Sequence, residues 1–309
     1  MFAKMIDYKK ENMVIVQLIG GLGNQLFQYA FGKHMAELNK MELVLDTSPF
    51  HDFYKLHKYS LQHFDISAKI VDKAMIQKAK SYPHNLSGMD RVLEYRILGK
   101  KNIDINEKAF NFDQDAIQKY NAKHIFIEGY WQTEKYFDSH NIKEILYKEF
   151  QITTPQEEKD KVISEKIRNS NAISLHIRRA DYANPDTVKV HGMCSLEYYQ
   201  NAVEEVASKV ENPTFFVFSD DIEWAEQNLK LPYPIVFVGH NDADKNYEDL
   251  RLMSECNHNI IANSSFSWWG AWLNQNPSKI VIAPQSWFAT TERNYNDVIP
   301  PSWIKIKNN

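Results

Sequence analysis

At 309 residues the chain exceeds the roughly 100–200 expected per domain, so two compact lobes are expected. Its 43% apolar and 25% charged residues exclude a disordered chain, and a net charge of −4 without a Lys/Arg run argues against nucleic acid as the main partner. Cys194 and Cys256 are too few for a disulfide framework or a four-ligand zinc site, and neither a signal peptide nor the roughly 20-residue apolar run of a membrane span is visible, so a cytoplasmic location is expected.

In chain order, the first unit is a strand, Val14–Ile19, then Gly20-Gly21-Leu22-Gly23, then a helix in which Phe27, Ala30, Phe31, His34/Met35 and Leu38 recur at helical spacing. A second strand follows at Leu43–Leu45. Residues 50–120, rich in Lys, His, Tyr and Phe without a clean period, are expected to form helices and loops. Order returns with a run at His124–Glu128. The charged stretch Thr154–Asn171 predicts an exposed helix or an interlobe connection, which sets lobes at 1–160 and 161–309. Beyond it, strands at 172–177, 214–218, 235–238, 259–262 and Lys279–Ala283 alternate with helical patterns, the signature of an α/β doubly wound parallel sheet. Ligands of such sheets lie beyond the carboxyl ends of the strands, so the polar residues closing each run are the candidates.

The sharpest of these is the strand Ala172–Ile177 running into Arg178-Arg179-Ala180-Asp181. Two guanidiniums at a strand end suit a leaving diphosphate; the alternative is a surface pair with Asp181 as ion partner. Gly20–Gly23 lets the backbone approach a ligand at a helix start, or is a tight turn with Asn24 as N-cap. Asn263-Ser264-Ser265-Phe266 opens the apolar helix Trp268–Leu273, as an anion site, as N-capping by Ser264 or Ser265, or both, with most tryptophans in the core. Ser219-Asp220-Asp221 offers a carboxylate to a guanine or ribose, or, with Glu223, a capping box at Asp220. Asp242 and Asp244 are a metal pair or, more simply, a solvated loop cap. His34 and His176, on apolar positions, are read as structural.

The segments GGLGNQLFQYAFG (20–32), HIRRADY (176–182), FSDDIEW (218–224) and CNHNIIANSSFSWWGAWL (256–273), in this order, resemble the bacterial α-1,2-fucosyltransferases of glycosyltransferase family 11 over most of the chain from Met13. The resemblance implies a GT-B-like fold, two Rossmann-like lobes with a cleft between them, the C-terminal lobe holding GDP-fucose and the N-terminal lobe a galactose-terminated acceptor. It implies inversion without a metal or cofactor, and surface-polysaccharide assembly with peripheral contact to a membrane-bound glycolipid. Arg178 would bridge the diphosphate, with Arg179 more structural. Asn24 would lie near the β-phosphate or fucose, together with Gly21 and Gly23 of its loop. Ser219, Asp220 or Asp221 would approach the nucleoside, and His176, Asn263, Ser264, Ser265 and Phe266 would complete the donor site. Asp181 and His191 are both candidates for a base. The residues before Met13 have no place in the family motif and are expected to be disordered.

Three rivals compete: a nicotinamide oxidoreductase using the glycine loop with Asp46, against which Leu26 at the third glycine position counts; a carbohydrate-binding protein, suggested by seven tryptophans; and a metal-dependent GT-A enzyme built on Asp242 and Asp244.

Overall fold

The structure, a computed structural model, describes residues 12–84, 88–179, 189–190, 192–290 and 295–308. Its chain divides into two units, 1–151 and 152–309.

In the first unit, five strands form one parallel sheet: β1 (Met13–Gln17), β2 (Glu42–Asp46), β3 (Lys69–Val71), β4 (Lys101–Asn106) and β5 (Ala122–Glu128), in the order β3-β2-β1-β5-β4. Central β1 and β5 are buried along almost their whole length, as parallel strands covered on both faces must be. The glycine loop leads into the helix Leu22–Asn39, whose first four turns are buried nearly all round. Residues 50–120 contain two strands, β3 and β4, where only helices and loops were expected. Both are sheet edges, and β4 buries only Ile105, so neither needs the apolar run that marks a central strand.

The second unit carries β6 (Asn171–Ile177), β7 (Pro213–Ser219), β8 (Ile235–Val238), β9 (His258–Ile260), β10 (Val281–Pro284) and β11 (Ile304–Ile306), all parallel, in the order β11-β10-β9-β6-β7-β8. Counted outward from β6, this is the doubly wound Rossmann order. The short edge strand β11 carries too little apolar sequence to have been expected. Ile173, Leu175 and Ile177 of β6 pack with Phe215 and Val217 of β7 and with Tyr198, Tyr199, Ala202 and Val203 of the helix Leu196–Ala207.

The charged stretch after Thr154 is a helix, Glu158–Arg168, and it belongs wholly to the second unit. Asp160 is buried there, accepting from His240 Nε2 at 2.8 Å and Asn241 Nδ2 at 3.0 Å, while Ser164 donates to Glu255. A boundary at 160/161 would cut this helix through its buried face; the division at 151/152 leaves it whole.

Candidate functional site

In the second unit, β6 and β7 run in register to their last pair, Ile177 with Ser219, so the next residues of each strand emerge side by side. Arg178 Nη1 therefore meets Asp220 Oδ2 at 3.0 Å, and Asp220 Oδ1 accepts from the Arg179 N–H at 2.7 Å. The Arg179 guanidinium lies 3.8 Å over the Trp224 ring, with its Nε 3.7 Å from Asp221 Oδ2. Asp221, not Asp220, caps the helix Ile222–Asn228, accepting from the Trp224 N–H at 3.2 Å; its own N–H donates to Ser219 Oγ at 3.0 Å. The Arg178 and Asp220 side chains are 23% and 19% exposed, so their pairing contributes at most about 1 kcal/mol to stability. Its main effect is to aim the guanidinium.

The strand order reverses between β6 and β9, which makes their carboxyl ends the topological switch point. Beyond β9 the helix Ser265–Leu273 begins, with no acidic residue in its first turn and Ser264 as its cap, Oγ accepting from the Phe266 N–H at 3.3 Å. Ser265 and Phe266 are half-buried. The helix start is electropositive, as an anion site requires. Asn263 instead ties loops together: its Nδ2 donates to the carbonyls of Trp287 and Gly192 at 3.3 and 3.4 Å. The ring centre of His176, on β6, is 5.6 Å from that of Phe266.

Much of the 256–273 motif builds the sheet beneath this point. Asn257 Oδ1 accepts from the Ala172 N–H at 2.9 Å, His258 Nδ1 from the Ile280 N–H at 2.9 Å, and Asn259 Nδ2 donates to Ser174 Oγ at 2.7 Å. Trp268, Trp269 and Trp272 are core residues, and Trp268 Nε1 donates to the Val298 carbonyl at 2.8 Å.

Burial, with Arg178 alongside, pushes the His176 pKa down to about 3, so its imidazole is neutral. The unfolded value is about 6.5. The folded state thus prefers the neutral ring, a stabilisation present above about pH 6.5 and lost as pH falls toward 3. On acidification from about pH 7 to about pH 4, wild type is expected to lose more stability than His176→Asn in calorimetric melts. Equal losses would mean that the ring is solvated.

In the first unit the reversal lies between β1 and β5, and the loops beyond both strands meet. Gly20 has φ +89°, and a Cβ there would sit 2.4 Å from Asn24 Nδ2. Gly21 is the helix N-cap, its carbonyl accepting from Asn24 and Gln25 N–H at 3.0 and 3.1 Å, and Gly23 is buried in the first turn. Asn24 is consequently not the cap; its Oδ1 accepts from Gln132 Nε2 at 2.8 Å. Two fully buried glutamines lock the loops. Gln25 donates to the carbonyls of Gly20 and Lys58 at 2.9 and 2.8 Å and accepts from the Ser60 N–H. Gln28 accepts from the Ile19 N–H and donates to the Gly129 carbonyl, both at 3.0 Å. Glu107 receives the N–H groups of Tyr130 and Trp131 at 2.8 Å each, holding buried Trp131 at φ +59°. Sequence reading missed Gln25, Gln28, Glu107 and Gln132. A signal was available only for Gln132, a polar residue in the loop that follows the apolar run of β5.

A family model described as Glycosyl transferase family 11 matches residues 3–307. The chain belongs to that family. The match includes most of the residues before Met13 that were read as outside the family motif. The chain is 33% identical to an alpha-1,2-colitosyltransferase of Escherichia coli, over 96% of this chain and 99% of that one. With the O-antigen biosynthesis glycosyltransferase WbnK of Escherichia coli the identity is 34%, over 94% and 99%. The fold is similar to that of the fucosyltransferase NodZ from Bradyrhizobium, with TM-score 0.53, 14% identity and coverage of 84% of this chain and 92% of that one.

As a family 11 glycosyltransferase of GT-B-like fold, the chain leaves little to the rivals. Asp46, the supposed ribose ligand of an oxidoreductase, accepts from the Ser48 N–H at 2.9 Å and is buried. Six of the seven tryptophans are buried and Trp224 lies under Arg179, which removes the aromatic surface suggested for a lectin. Asp242 is a loop cap, accepting from the N–H groups of Asp244 and Lys245 at 3.0 and 3.1 Å. Asp181 and His191, the two candidate bases, lie outside the described residues. Among the described residues no helix is long and apolar enough to cross a membrane.

Proposed function

We propose that this family 11 glycosyltransferase moves fucose from GDP-fucose to the 2-hydroxyl of a terminal β-galactoside, with inversion and without a metal. The observation that carries the donor site is Arg178, oriented by Asp220 at the end of β6 and placed at the same switch point as the Ser264-capped helix start. A guanidinium and a helix N-terminus together suit a diphosphate whose negative charge grows as it leaves.

The acceptor oxygen attacks the anomeric carbon from the face opposite the diphosphate, through an oxocarbenium-like state. As that bond forms, the bond from the anomeric carbon to the β-phosphate oxygen breaks and its electron pair leaves with GDP. Arg178 stabilises that charge. Neutral His176 donates or accepts a hydrogen bond without adding charge, and the acceptor proton passes to Asp181 or His191, or to water when the reaction is strongly dissociative. Asn24, Gly21 and Gly23 are assigned to the sugar and β-phosphate, Ser219, Asp220 and Asp221 to the nucleoside, and Ser265 and Phe266 to the diphosphate. Asn263 supports the loop beside them.

The alpha-1,2-colitosyltransferase relative favours a second reading in which the donor sugar is colitose. Calorimetric titration with GDP, GDP-fucose, GDP-colitose, UDP and NADH in EDTA, followed by transfer assays on β-galactosides, tests both. Binding of GDP and GDP-fucose in EDTA, with fucosyl transfer to the 2-hydroxyl, is the expected result. Transfer of colitose alone would select the second reading, and activity restored only by magnesium or manganese would overturn metal independence.

A further inference from the structure

One stretch of the first unit has no part in the sites above. A helical turn, Gly88–Arg91, runs into a π-helical turn, Val92–Ile97, which buries none of its residues. Met89 is 87% exposed and Ile97 67%, and Val92, Leu93, Tyr95 and Leu98 are exposed with them. Isolated exposed apolar side chains are ordinary, but six within ten consecutive residues form a patch of the kind that marks an interaction surface.

The charges around the patch point to its partner. Arg96 and Lys101 are exposed and Lys100 half-buried, whereas of the two acids in the segment Glu94 is turned to the buried Lys123, 3.1 Å away, leaving Asp90. The patch is therefore locally basic on a chain whose net charge is −4. We propose that residues 88–101 dock this protein on an anionic phospholipid surface. The apolar side chains enter the boundary between headgroups and acyl chains, Tyr95 lies at the headgroup level, and Arg96, Lys100 and Lys101 face the lipid phosphates. A second copy of the chain is the poorer partner, because a twofold contact through this patch would set the same basic residues against one another.

The full chain is sedimented with vesicles of phosphatidylcholine alone and of an equimolar mixture with phosphatidylglycerol, at low and high salt. Binding to the mixed vesicles only, released by salt, is expected. Arg96→Glu with Lys101→Glu should weaken it by at least about 25-fold. Met89→Ser with Ile97→Ser should weaken it too, with an unchanged melting temperature because both side chains already face solvent. Absence of binding to mixed vesicles, or binding that both double variants retain, overturns the proposal. So does a wild-type dimer in analytical ultracentrifugation that Met89→Ser with Ile97→Ser converts to monomer. No donor or acceptor enters the assay, so its outcome is independent of the sugar transferred.

Discussion

Arg178→Ala is expected to lower kcat for fucosyl transfer by about 10²–10³-fold, the usual cost of losing one preorganised donor to a developing negative charge. The loss should fall mainly on kcat, since the diphosphate carries more charge as it departs than in the bound donor. The fold should survive: the ion pair with Asp220 is partly solvated, and Asp220 keeps the Arg179 N–H as partner. The melting temperature should therefore move by no more than about 4 °C. Arg178→Lys retains the charge but not the planar fork, and should recover only part of the rate. Steady-state kinetics beside a calorimetric melt separate the cases. Near-normal turnover in folded Arg178→Ala would remove Arg178 from the chemistry, and a collapsed melting temperature would make it a structural residue.

Gln28→Leu should have the largest effect on stability. The substitution nearly conserves volume but removes the amide that satisfies the Ile19 N–H and the Gly129 carbonyl, and Gln28 is fully buried. Two orphaned backbone groups cost roughly 2–4 kcal/mol together, and the melting temperature should drop by roughly 5–15 °C. Transfer should fall as well, because Gln28 joins the loop that leads into the helix of Asn24 to the loop that carries Gln132. A drop below about 2 °C would show that water replaces the amide at both ends.

The family motifs were legible because each is a short run of consecutive residues, but their division of labour was not. In GGLGNQLFQYAFG the buried Gln25 and Gln28 hold loops, while Asn24 turns to Gln132, 108 positions away. In CNHNIIAN, Asn257 and Asn259 tie the β9 segment to β6, while Asn263 ties loops together. A polar residue that satisfies a buried carbonyl and one that meets a substrate look alike in sequence, since both are polar residues among apolar ones.

The sequence alone determined the alternation of strands and helices, the two parallel sheets' central strands, the glycine loop and the arginine pair. Strands covered on both faces must carry continuous apolar runs, and a loop at a strand end shows its composition locally. Only the tertiary structure decided the edge strands β3, β4 and β11, whose hydrogen bonds are completed by a neighbour rather than by their own apolar residues. It also decided that Asp220 orients Arg178 while Asp221 caps a helix. That choice follows from the register of β6 against β7, a relation between segments more than 40 residues apart that no local pattern encodes.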